Sequence, residues 1–129
     1  MSSSRIFGDE AERLARAYLK KRFRDLEVSP RGFDRSLGPA DFVVKNPNNN
    51  RIRALVQVKS GLRSARVTAE ECRRLIKQAN FLGGTPYILV RVGPLRGGRD
   101  VYWNLETAQH ALRFMGRSKD LIDSGYNEY

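Results

Sequence analysis

Apolar residues recur at three- and four-residue spacing between Asp9 and Phe23. Ala11, Leu14, Ala15, Tyr18 and Leu19 share one stripe, which predicts an amphipathic helix. Asp9, Glu10 and Glu12 would stand in its first turns, where the helix dipole favours acids, and Lys20-Lys21-Arg22 at its end, where it favours cations. The period then shortens. Leu26–Ser29 alternates and predicts a first strand. Gly38–Val44 and Arg53–Ser60 are rich in Val, Phe and Leu and predict two adjacent antiparallel strands, with Asn46-Pro47-Asn48-Asn49-Asn50 as the hairpin loop. Gly61–Val67 reads as a basic connector. A second helix starts at Thr68, with Thr68 and Glu71 as a capping box, and Gly83-Gly84 stops it. Cys72, Leu75, Ile76, Ala79 and Leu82 form its buried face. Tyr87–Val92 is nearly continuous in apolar residues, as expected of a strand inside a sheet. Val101–Trp103 begins a last strand, and a final helix is expected from about Leu105 to Met115. Residues 1–7 read as a flexible basic start. Residues 118–129 read as a tail, either loose or packed on a partner subunit.

A chain of 129 residues with 40% hydrophobic content builds one domain around one core. No apolar run approaches the ~20 residues of a membrane span, and no apolar stretch of a secretory signal follows Met1–Arg5. The single cysteine, Cys72, cannot form an internal disulfide and lies on the buried helix face. Both features fit a reducing, cytoplasmic setting. His110 has no second histidine and no acid at ligand spacing, which argues against structural zinc. Charge changes the picture most. There are 24 Lys+Arg against 14 Asp+Glu, a net charge of +10, and 18 of the cations are Arg. So positive a chain favours polyanions, and the planar guanidinium matches phosphate oxygens in pairs.

Side chains two apart on a strand share a face, so Gln57 and Lys59 project together, while Val56 and Val58 project to the other, buried face. Asp41 lies on the neighbouring strand. A Lys and an Asp beside apolar strand residues are costly to bury unless they pair or bind something. A metal-assisted phosphodiester site needs such an arrangement. The basic turn Arg31-Gly32-Phe33-Asp34-Arg35-Ser36 leads straight into it, and Arg5, Arg31, Arg35, Arg53, Arg63 and Arg66 are candidate DNA contacts.

Pro39-Ala40-Asp41 followed by Gln57-Val58-Lys59 resembles the PD-(D/E)XK nuclease motif. One residue separates Pro39 from Asp41, and Gln57 stands where most members carry Glu or Asp, as it does in the Mrr-like restriction endonucleases. Gly8-Asp9-Glu10-Ala11-Glu12-Arg13 resembles the G-x-x-x-E-R start of archaeal Holliday junction resolvases, and the order of elements resembles theirs from about residue 5 to residue 105. The resemblance implies a restriction-endonuclease-like three-layer α/β core, a central mixed sheet flanked by helices. It also implies a site of Glu12, Ser36, Asp41, Gln57 and Lys59. Asp41, Gln57, Glu12 and the Val58 carbonyl would hold Mg²⁺, or Mn²⁺ in its place. Periodicity alone leaves Glu12 and Glu10 equal; the resemblance favours Glu12.

The expected activity is metal-dependent, structure-specific DNA cleavage by a homodimer, each subunit nicking one strand of a four-way junction. Three other readings stand beside it. They are a restriction- or repair-type nuclease, a DNA-binding module whose nuclease site has decayed, and a basic RNA-binding α/β protein in which Asp41 and Lys59 form an ordinary strand salt bridge. No run of alternating aromatics of the RNA-binding kind appears. Tyr102, Trp103, Phe114 and Met115 are candidates either for the dimer contact or for the monomer core.

Overall fold

A computed structural model describes residues 2–32, 37–94, 101–115 and 121–125, with side chains described from residue 9 to residue 113 inside those ranges. Helix α1 spans Ser2–Arg22, β1 Glu27–Pro30, β2 Phe42–Lys45, β3 Ile52–Gly61 and β4 Ser64–Thr68. Helix α2 covers Ala69–Leu82, followed by β5 (Thr85–Val92), β6 (Tyr102–Thr107), α3 (Ala108–Met115) and β7 (Leu121–Gly125). The main sheet has five strands in the order β1-β2-β3-β5-β6, and β4 pairs with β7 in a second, two-stranded sheet. Strands β1, β2 and β3 form an antiparallel meander. β3 and β5 run parallel, and β6 returns antiparallel along β5. The parallel pair demands a crossover, which α2 supplies.

The result is a mixed sheet with a packed layer on each face. On one face Ala15 and Leu19 of α1 meet Phe42, Val44, Ala54, Val56 and Leu89. On the other, Cys72, Leu75 and Ala79 of α2 and Ala108 and Ala111 of α3 cover Val43, Leu55, Ile88 and Val90. Alternate residues of β3 therefore feed opposite cores, as the pleat requires. Each fully buried large side chain, Leu55 and Leu89 among them, contributes about 1.5–3 kcal/mol.

Several expectations change. Helix α1 begins at Ser2, not near Asp9, so no acid lies in its first turn. Residues 2–7, read as a flexible start, are helical, and the helix runs through Gly8. Gly is only about 1 kcal/mol worse than Ala there. Strand β2 starts at Phe42, with Gly38 and Pro39 in a turn before it. The supposed connector contains β4, and 121–125 is its antiparallel partner, Ser64 facing Gly125. Helix α3 starts at Ala108, because β6 continues along β5 as far as Thr107. His110 does have an acid within reach: Glu106, one turn earlier, lies 3.6 Å from it. Trp103 packs within the monomer, its ring stacked on Tyr18 at 4.5 Å. The side chains of Phe114 and Met115 lie outside the described residues.

Candidate active site

The site forms where β2 begins. Pairing between β2 and β3 stops at Phe42 and Val56. One residue earlier, the Asp41 N–H donates to the Val56 carbonyl at 2.8 Å, and the Asp41 carbonyl accepts from the Arg31 N–H at 2.8 Å. Beyond that point the side chain replaces the strand: Asp41 Oδ2 accepts the Val58 N–H at 2.7 Å. The carboxylate is thus seated at the edge of β3, beside the residue between Gln57 and Lys59. A residue's N–H and C=O point to the same edge of an extended strand, so the Val58 carbonyl faces this edge too.

Gln57 and Lys59 do project together, onto the face that α2 covers. Both reach one carboxylate oxygen. Lys59 Nζ lies 2.6 Å from Glu71 Oε2, and Gln57 Nε2 donates to the same oxygen at 3.3 Å. Glu71 is also the predicted capping residue: its Oε1 accepts the Thr68 N–H at 2.9 Å, while the Thr68 hydroxyl accepts the Glu71 N–H at 3.2 Å. One oxygen closes the helix start and the other holds the strand cation. The sequence had offered Asp41 as the acid beside Lys59. Its direct partner is Glu71, a residue read only as a cap. With its nitrogen so held, the Gln57 amide leaves Oε1 buried and without a hydrogen-bond partner.

Electrostatics set the two carboxylates apart. Burial pushes the Asp41 pKa above its ordinary value, against the Val58 N–H and the charges of Arg31 and Lys59, and the negative charge of Glu12 adds to the rise. Burial also works to raise Glu71, but the Lys59 ammonium and the Thr68 N–H and hydroxyl outweigh it, and its pKa falls. The Cys72 thiol is pushed up to about 11 by burial and by Glu71 and Glu106, as suits a core residue rather than a nucleophile.

Helix α1 separates the two acids that periodicity left equal. Glu10 is ion-paired with Arg13 at 2.7 Å, while the exposed Glu12 acts electrostatically on Asp41. Arg31 is close enough to act on Asp41 as well, and its Nη1 donates to the Gly38 carbonyl at 2.7 Å. Arg63 and Arg66 are exposed, in the turn after β3 and on β4. Arg53 stands at the far end of β3, roughly 13 Å along the strand from Gln57. It lines an open cavity of about 500 Å³ with Arg51, Asn46, Asn49 and Gly84. Ser36, Arg35 and the Arg5 side chain lie outside the described residues. A buried cation was missed by sequence: Arg91 donates to the Pro94 carbonyl at 2.6 Å and lies over the Trp103 ring at 5.4 Å. Among the described residues no group of three or more His, Cys, Asp or Glu side chains is placed to hold a metal ion. No described helix is long and apolar enough to cross a membrane.

This architecture is the restriction-endonuclease-like fold. The chain is similar to the solved structure of Archaeoglobus fulgidus Hjc, a Holliday junction resolvase from an archaeal hyperthermophile. The TM-score is 0.58 at 15% sequence identity, over 93% of this chain and 87% of that one. No family model matches the chain, and no curated protein matches its sequence.

Proposed function

We propose that this protein is a metal-dependent endodeoxyribonuclease that nicks branched DNA, acting as a homodimer on four-way junctions. The observation that carries the reading is the seating of the half-buried Asp41 carboxylate on the N–H of Val58, the residue that separates Gln57 from Lys59 in β3. The likeness in fold to a Holliday junction resolvase supports it, as does a net charge of +10.

The residues present fit a hard cation. Asp41 offers a carboxylate, Gln57 a buried, unpartnered amide oxygen, Val58 a carbonyl on the same edge, and Glu12 a second negative charge nearby. All are oxygen donors, as Mg²⁺ and Mn²⁺ prefer. Such an ion, when bound, neutralises phosphate charge and makes a coordinated water acidic enough to attack. Asp41, Gln57, the Val58 carbonyl and Glu12 would hold it. Lys59 would orient the attacking water or meet the negative charge that builds on the phosphate. Arg31 and Arg63, with Arg5, Arg35, Arg53 and Arg66, would grip the backbone, and Ser36 would take part in the chemistry. Backbone contacts carry little base information, so recognition by shape follows.

The test uses labelled four-way junction, duplex, flap and single-stranded DNA, with and without Mg²⁺ or Mn²⁺. Paired nicks in the junction, dependent on metal, are expected. Cuts confined to linear or flapped DNA would point instead to a restriction- or repair-type nuclease. Binding of all four without cuts would favour the decayed module, a reading that the uncharged Gln57 supports.

A further inference from the structure

Position 57 offers an amide where a carboxylate would attract a cation more strongly. An amide has a second defect: it can present either its oxygen or its nitrogen, and only the oxygen is a ligand. A carboxylate of α2 bears on both. Glu71 Oε2 takes the Gln57 nitrogen at 3.3 Å, and Oε1 is left buried and without a hydrogen-bond partner. The same oxygen anchors Lys59 at 2.6 Å. Glu71 itself cannot swing freely, because Oε1 is locked into the start of α2 by the Thr68 N–H at 2.9 Å.

We infer that Glu71 is a positioning residue of the cation site, fixing the Gln57 amide with its oxygen forward and restoring to the site the negative charge that position 57 lacks. The inference rests on the metal-dependent reading above. It goes beyond that reading in assigning a role to a helix residue outside the motif. Partners that orient a ligand characteristically govern metal affinity about tenfold or more when removed. The assignment also bears on Gln57→Glu. Alone, that change sets two carboxylates against each other at 57 and 71, so its gain in affinity is blunted. Paired with Glu71→Gln, it exchanges amide and carboxylate and keeps the charge and the hydrogen bond.

The experiment is calorimetric titration of Mn²⁺ into metal-free protein, without DNA, for the wild type, E71Q, Q57E/E71Q and T68A. Gln also serves at the third helical position of a capping box, so E71Q keeps the helix start. E71Q is expected to weaken Mn²⁺ binding roughly tenfold, and the double variant to return it to the wild-type value or better. T68A, which strips the cap hydroxyl alone, is expected to lower the melting temperature and leave affinity within about twofold. Equal affinity in the wild type and E71Q overturns the assignment, as does a double variant no better than E71Q. Metal-dependent cleavage by the wild type would then leave the nuclease reading standing. Conversely, the expected affinities in a protein that cuts no DNA overturn the nuclease reading and keep the assignment. A wild type that binds no Mn²⁺ at millimolar concentration overturns both.

Discussion

The two halves of β3 differ in everything except chain continuity. Ala54, Leu55 and Val56 have strands on both sides, β2 and β5, and helices on both faces, and they are 1%, 0% and 0% exposed. Gln57 to Gly61 keep β5 but lose β2, and all are partly open to solvent. In the first half, backbone pairs with backbone. In the second, an aspartate side chain stands in for the missing strand and a helix-capping glutamate holds the polar side chains. Starting one strand late is enough to convert a sealed core into a seat for charged groups.

Three substitutions test how far the halves are independent. The largest effect is expected from Asp41→Asn, which should cut DNA cleavage by at least ~10²–10³-fold while raising the melting temperature of the metal-free protein by roughly 2–5 °C. The sign follows from burial. The Asp41 pKa is raised in the fold, so the ionised form is the poorer one there. That penalty operates above the folded pKa and disappears as pH falls below the ordinary Asp value. The gain in thermal melts at pH 7 should therefore shrink at about pH 3–4. A lower melting temperature for the variant at pH 7 would mean that the Val58 N–H outweighs burial.

Leu55→Ala acts on the sealed half. It should cost about 2–5 kcal/mol in denaturant unfolding. Cleavage measured well below the midpoint should remain near the wild-type rate per folded molecule. A large loss of activity in folded protein would show that the halves are coupled.

The smallest effect on folding stability is expected from Lys59→Met. It removes the main group that holds the Glu71 pKa down, so the Glu71 carboxyl should titrate higher, read by carbon NMR. A lowered carboxyl pKa contributes stability above its unfolded value and loses it as pH falls through the folded one. The acid limb of the stability curve should accordingly weaken in the variant. An unmoved Glu71 would assign its low pKa to Thr68.

What could be read in the sequence was local. The Thr68–Glu71 cap, the Asn46–Asn50 hairpin and the Gln57/Lys59 face are all fixed by residues a few positions apart, and all stand in the structure as expected. The beginning of α1 was hidden because Ser2-Ser3-Ser4-Arg5 carries no apolar stripe and reads as a flexible basic start. Glu71's second contact was hidden because its partners lie 12 and 14 positions earlier, on another element. Strand β4 did carry a signal, Ala65 and Val67 buried on either side of exposed Arg66, but its mate is near the end of the chain, where no local pattern announces it.

That late mate shapes how the molecule assembles. Joining Ser64 to Gly125 closes a loop of nearly half the chain, and a two-stranded ribbon gives little in return for the lost entropy. The main sheet can form first, from neighbours in sequence and one helical crossover, and the terminal ribbon zips on afterwards. Of the described strands, β7 is therefore the one whose amides should trade hydrogen with solvent soonest, opening and closing while the main sheet stays folded.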